Sequence, residues 1–162
     1  MIQRIQTVYL LLVTILAFAS LVSQIGYYTV GEEIVASFNN FMFAGYGACA
    51  SYKSAGPYAL GVLLLLVIFL SLITILLYRK RMRQLRLTII SCIMLVGYIV
   101  VYALFAYFYK GNIDVVLGAE GASTFHFRFV AIFPVISLIL NIMAIHGIRK
   151  DEALVRSLDR LR

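Results

Sequence analysis

A chain of 162 residues that is 63% hydrophobic and only 13% charged is unlike ordinary soluble domains, where about 25% of residues are charged, and most of its surface must face lipid. Four spans of about 20 residues each would use half of it, which leaves room for one bundle and excludes a separate soluble domain. The net charge of +7 lies in loops and ends beside apolar segments, without the interleaved aromatics of a nucleic-acid surface, and reads as an orientation signal toward a phospholipid membrane.

The first span runs from Ile5 to Val22, with no charge between Arg4 and Glu32, long enough to cross a hydrocarbon core about 30 Å thick. A competing reading makes it a signal peptide, because Ala17-Phe18-Ala19 has the small-x-small form that precedes a cleavage site, and cleavage would leave three spans. Against it stands the single basic residue of the leading region. In the outer segment 24–56, Gly26 to Val30 and Glu33 to Phe38 flank Gly31-Glu32, which suits a tight two-residue hairpin. Phe41-Met-Phe43 and Gly45-Tyr-Gly47 follow.

The second span starts at Pro57, tolerated in a first helical turn, and reaches Tyr78 against Arg79. The third runs from Leu87 to Tyr109, between Arg86 and Lys110. In the outer segment 110–128, Ile113 to Leu117 is β-rich, Gly118-Ala-Glu-Gly121 can supply a turn, and Ser123 to Phe129 alternates Phe125, Phe127 and Phe129 with polar residues. That pattern predicts a second hairpin. The fourth span, 129–148, stops at Arg149-Lys150, and in the tail 149–162 Leu154, Leu158 and Leu161 form a narrow apolar stripe. The tail should continue the fourth helix or lie flat on the inner leaflet, and its stripe could also dock a cytoplasmic protein.

The expected fold is an all-α membrane protein, a four-transmembrane-helix bundle with a small outer β-cap built from both outer segments. The cap's Tyr and Phe would seat it at the headgroup level or form a partner surface. Arg4, the run from Arg79 to Arg86, and the tail gather eleven of the 14 basic residues, so both termini are expected in the cytoplasm.

Chemistry is scarce. Ser137 and Asn141 share a face of the fourth span and could line a ligand cavity or make an interhelical hydrogen bond. His126 and His146 lie at opposite ends of that span and cannot share a metal. Tyr98, Tyr102, Phe105 and Tyr109 make one side of the third helix aromatic, either lining a pocket for a flat hydrophobe or packing on a neighbouring span. Cys49 and Cys92 fall on different levels and imply no disulfide or CxxC site. No phosphate loop, HExxH, GxSxG or paired intramembrane carboxylate is present, so no enzyme activity, cofactor or metal is expected, and the lack of a GxxxG motif in any span lowers the expectation of tight self-association by that mode.

Met1-Ile-Gln-Arg-Ile-Gln-Thr-Val-Tyr-Leu-Leu-Leu12 and Ile148-Arg-Lys-Asp-Glu-Ala-Leu-Val-Arg-Ser-Leu-Asp-Arg-Leu-Arg162 resemble the termini of the bacterial membrane family catalogued as domain of unknown function 4293. The resemblance implies a bacterial inner membrane and supplies no activity. Its end motifs point to the cytoplasmic surface, where Gln3, Arg4, Gln6, Arg149, Lys150, Leu154, Leu158 and Leu161 could dock a protein partner. The expected function is therefore a non-enzymatic accessory or scaffold subunit. The alternative is a carrier of a lipid or other hydrophobe, using Tyr98, Tyr102, Phe105, Ser137 and Asn141. An open cavity reaching Asn141 and Tyr102 would favour the carrier; a dry, closed bundle with an ordered tail would favour the scaffold. The likeness of this arrangement to claudins is one of layout only and carries no function.

Overall fold

The computed structural model describes residues 3–49, 53–54, 57–77, 81–118 and 123–159. The charge-free apolar runs fold into helices α1 (Gln3–Val22), α2 (Tyr58–Leu76), α3 (Arg81–Leu117) and α4 (Phe133–Asp159). Each contains a stretch long and apolar enough to cross a membrane. They pack in a ring, α1 against α2 and α4, and α3 against the same two helices. Pro57 stands immediately before α2, where a helix has no use for the missing N–H.

Hydrophobicity alone does not distinguish the two faces of these helices. On α2 the buried stripe is Leu60, Gly61, Leu64, Val67, Ser71 and Thr74, whereas Leu65, Phe69, Leu72 and Leu76 point outward. The difference lies in the polar residues, which are costly against acyl chains and turn inward. Gln84, Thr88 and Ser91 do the same on α3. Thr74 and Thr88 satisfy their hydroxyls within their own helices, donating to the carbonyls of Leu70 at 2.6 Å and Gln84 at 2.9 Å.

One end of the bundle carries a five-stranded antiparallel sheet of β1 (Gln24–Val30), β2 (Glu33–Asn39), β3 (Phe43–Gly45), β4 (Lys53–Ser54) and β5 (Thr124–Phe127), in the order β4-β3-β2-β1-β5. The β1–β2 turn is the predicted Gly31-Glu32, with Gly31 at φ 63°. A short 3-10 turn, Gly47–Cys49, follows β3, and another, Phe129–Ile132, leads into α4.

The second predicted hairpin is absent. Ile113 to Leu117 belongs to α3, which runs for 37 residues, about 55 Å, and passes well beyond Tyr109, where the span was expected to stop. The β-branched residues are overruled because Tyr109 and Ile113, each 1% exposed, bury the inner face of this extension against the cap. The helix stops at Gly118, whose N–H bonds the Val115 carbonyl. Asp114 then accepts the backbone N–H of Ser123 at 3.0 Å as well as its hydroxyl. That directs the chain across to β1, where Gly26 pairs with Phe127 and Thr29 with Thr124. The alternation of Phe125, Phe127 and Phe129 reads as a half-buried strand, but only Phe125 is half-buried, while Phe127 and Phe129 are 70% and 72% exposed.

β3 lies so close to the turn after it that a side chain at Gly45 would place its Cβ 2.0 Å from the Cys49 carbonyl oxygen. Cys49 itself is buried, which pushes its thiol pKa up and keeps it unreactive. Gly45→Ala should therefore destabilise the fold by about 2 kcal/mol. The loss should be read as a lower unfolding midpoint together with faster Cys49 alkylation at neutral pH; an unchanged midpoint and labelling rate would refute the close approach.

Candidate functional site

Asn40, in the link between β2 and β3, is fully buried and joins the sheet to three helices. Its Nδ2 donates to the Ser20 carbonyl at 2.6 Å, its Oδ1 accepts the Tyr98 hydroxyl at 2.8 Å, and its backbone carbonyl accepts the Gly61 N–H at 3.0 Å. Ser20 lies in the last turn of α1 and Gly61 in the first turn of α2, where backbone groups have no partner within their helix. One residue thus caps two helix ends and holds a third helix by its tyrosine.

Two further bonds repeat the theme. Tyr102 donates to the Ile25 carbonyl at 3.1 Å, and Tyr28, reaching the other way, donates to the Ala106 carbonyl at 2.7 Å. Burial, with Tyr102 and Tyr109 nearby, holds the Tyr28 hydroxyl well above the usual phenol range, so it remains a donor. Phe38 stacks on Tyr102 at 5.8 Å and Phe43 on Tyr109 at 4.4 Å. The aromatic stripe of α3 is therefore the joint between helix and sheet, and its packing partners include the sheet, which the sequence reading had not considered. Tyr98 and Tyr102 are closed off at 2% and 9% exposure. Phe105 borders open space, a shallow apolar groove of 430 Å³ with Leu104, Tyr107 and Phe108.

Asn141 donates to the Ser91 hydroxyl at 3.2 Å, an α4–α3 bond, and Ser137 sits one turn away on the same buried face. Both are 0% exposed, so no water-sized space adjoins them. His126 bonds Thr29 at 3.0 Å and stacks on Tyr27, while His146 is exposed midway along α4. Among the described residues no group of three His, Cys, Asp or Glu could hold a metal ion.

At the termini end, Gln6 is buried and donates from Nε2 to Asp151 Oδ2 at 2.6 Å, tying α1 to α4. Gly147 gives Gln6 its room: a Cβ there would stand 3.1 Å from the Gln6 side chain. The buried face of α4 runs through Ser137, Asn141, Ala144, Ile148 and Asp151, so the packing of the bundle reaches past Lys150 into the segment expected as the tail, which continues the fourth helix to Asp159, one of its two expected courses. Of the docking candidates, Gln6 is turned inward, Arg149 and Lys150 are exposed, and Gln3, Arg4, Leu154 and Leu158 are placed on the end turns of α1 and α4. Leu161 lies outside the described residues. Asp151 is not among the docking candidates. Its signal was Gly147 four residues earlier, which leaves a flat strip on the same helix face.

The sheet face that carries Tyr27, opposite the face that carries Tyr28, holds a cavity of 640 Å³ bordered by Gln24, Tyr27, Tyr46, Phe127, Arg128 and Phe129. The Arg128 guanidinium donates to the Gln24 side-chain oxygen, and the Tyr46 and Ser37 hydroxyls bond at 3.0 Å. The sequence singles out neither Gln24 nor Arg128, and offers Tyr27, Tyr46, Phe127 and Phe129 only among the cap's Tyr and Phe, as a headgroup-level seat or a partner surface; the cavity itself exists only once β5 pairs with β1.

Replacing Asn40 with Ala should cost about 2 kcal/mol, since buried partners lose their hydrogen bonds, and Tyr98→Phe about 1 kcal/mol. In a double-mutant cycle of unfolding midpoints the two losses should be clearly non-additive; strict additivity would mean that the bond contributes nothing.

No curated protein matches the chain. Residues 2–161 match the model of the family described as Domain of unknown function (DUF4293), a match that takes in the sheet and the Gln6–Asp151 tie, and the chain belongs to that family.

Proposed function

We propose that this chain is an integral protein of the bacterial inner membrane with both termini in the cytoplasm, and that it is a non-enzymatic accessory or scaffold subunit holding a protein partner at its cytoplasmic face. The charge sorting supports the orientation: Arg83, Arg86, Arg149 and Lys150 are exposed at the termini end, whereas the β1–β2 turn at the sheet end is exposed at Glu32 and Glu33.

The observation that carries the docking reading is the continuity of α4 from Phe133 to Asp159 beyond its tie to Gln6. Eight further residues carry it about 12 Å past Asp151, while α1 starts only about 4.5 Å past Gln6 on the same side. The end of α4 therefore stands proud of α1 in an orientation fixed by a buried hydrogen bond. By sequence it bears the Leu154–Leu158 stripe, the form that a partner's groove accepts from a helix. The closed surroundings of Asn141 and Tyr102 speak against the carrier reading.

Removing 152–162 keeps Asp151 and its tie. Wild-type protein extracted in native-lipid particles should bring down a stoichiometric protein partner, identified by mass spectrometry, and the shortened chain should lose it. One enriched lipid or metabolite without a protein partner would reverse the order of the two readings. For orientation, in a chain whose own cysteines are replaced by Ala, a membrane-impermeant maleimide applied to spheroplasts should label Glu32→Cys and spare Lys150→Cys; the opposite pattern would invert the topology.

A further inference from the structure

The cavity on the sheet lies at the opposite end of the bundle from the docking surface. The backbone N–H of Arg128 donates to the Ile25 carbonyl at 3.2 Å, just past the end of α1 at Val22. Its side chain therefore begins at the level where the apolar helices end. Val22, Phe127 and Phe129 surround that level with apolar surface 72%, 70% and 72% exposed. Phenylalanines so bare are unfavourable in water and well placed at a bilayer interface.

The guanidinium is exposed and gives one N–H to the neutral Gln24 amide. Among the described residues no acidic side chain borders the cavity and no carboxylate pairs with Arg128. By contrast Lys110, also at this end, borders a separate cavity that includes Asp114. The unused N–H groups of an arginine fork match two oxygens of a phosphate. A volume of 640 Å³ exceeds what a bare phosphate needs and lies within the range of small-molecule sites.

We infer that this cavity binds the headgroup of an anionic phospholipid from the sheet-side leaflet, with Arg128 taking the phosphate and Phe127 and Phe129 set among the upper acyl segments. The inference rests on the membrane placement above and not on partner docking. The position of the cavity at the end of α1, and the bare phenylalanines beside it, select a lipid-borne phosphate over a soluble one.

The test is native mass spectrometry of the full chain in detergent, titrated with phosphatidylglycerol. Wild type should show one saturable lipid adduct. Arg128→Gln should weaken it about tenfold, Arg128→Lys should retain part of the affinity, and Lys110→Gln should leave it unchanged. Phe127→Asn and Phe129→Asn, which keep the arginine, should weaken the same adduct, so the proposal does not depend on one variant folding. Removing 152–162 should not affect it, which separates this site from the docking surface. Equal binding by Arg128→Gln and wild type, an equal loss in Lys110→Gln, or full competition by glycerol 3-phosphate at matched concentration would each overturn the assignment.

Discussion

Among acyl chains, an apolar side chain gains little by turning toward another helix, because lipid is as apolar as the interior it would join. Polar groups that cannot be left bare must therefore hold such a bundle in register, since an unsatisfied backbone group in hydrocarbon costs several kcal/mol. Asn40 meets that constraint where the helices end and the sheet begins. It answers a carbonyl left open by α1 and an N–H left open by α2, and it receives the Tyr98 hydroxyl from α3. The sheet is thus a set of caps for the helix ends as much as a layer packed above them, and Tyr28 and Tyr102 extend the same exchange along α3.

The fourth helix is held by different means. Asn141 reaches Ser91 in the middle of the bundle and Asp151 reaches Gln6 at its end, both from one buried face of α4. These contacts pin α4 to its neighbours at two depths. The small polar residues of α2 and α3 fill the same inner half, which makes the interior near the termini more polar than the interior beneath the sheet, where Leu60, Leu64, Leu95 and the tyrosines meet.

Features set by nearby residues were legible from the sequence. Arg79 marks the end of α2, Gly31-Glu32 marks the hairpin, and alternation marks β5. Features created by distant partners were not. Ile113, Val115 and Val116 carry strand preferences, and only the presence of Phe38 and Phe43 beside Tyr109 makes helix the better state. Nothing around Asn40 announces that two helix ends will converge on it. Asp151 reads as one more charge in a basic tail until α1 places Gln6 against it. Arg128 became a site residue only through the β1–β5 pairing, which no local pattern encodes.

The tie between Gln6 and Asp151 joins residues 145 positions apart, and the pairing of Gly26 with Phe127 closes the sheet across a stretch about two thirds as long. Closures over such distances are slow, because chain entropy must be overcome before any contact rewards it. Both wait for the last part of the chain to be synthesised. Until then β1 keeps a bare edge able to pair with the wrong strand, and the amide of Gln6 faces no acid, with the two defects at opposite ends of the bundle. A finished molecule therefore differs from an unfinished one at both ends of the bundle at once.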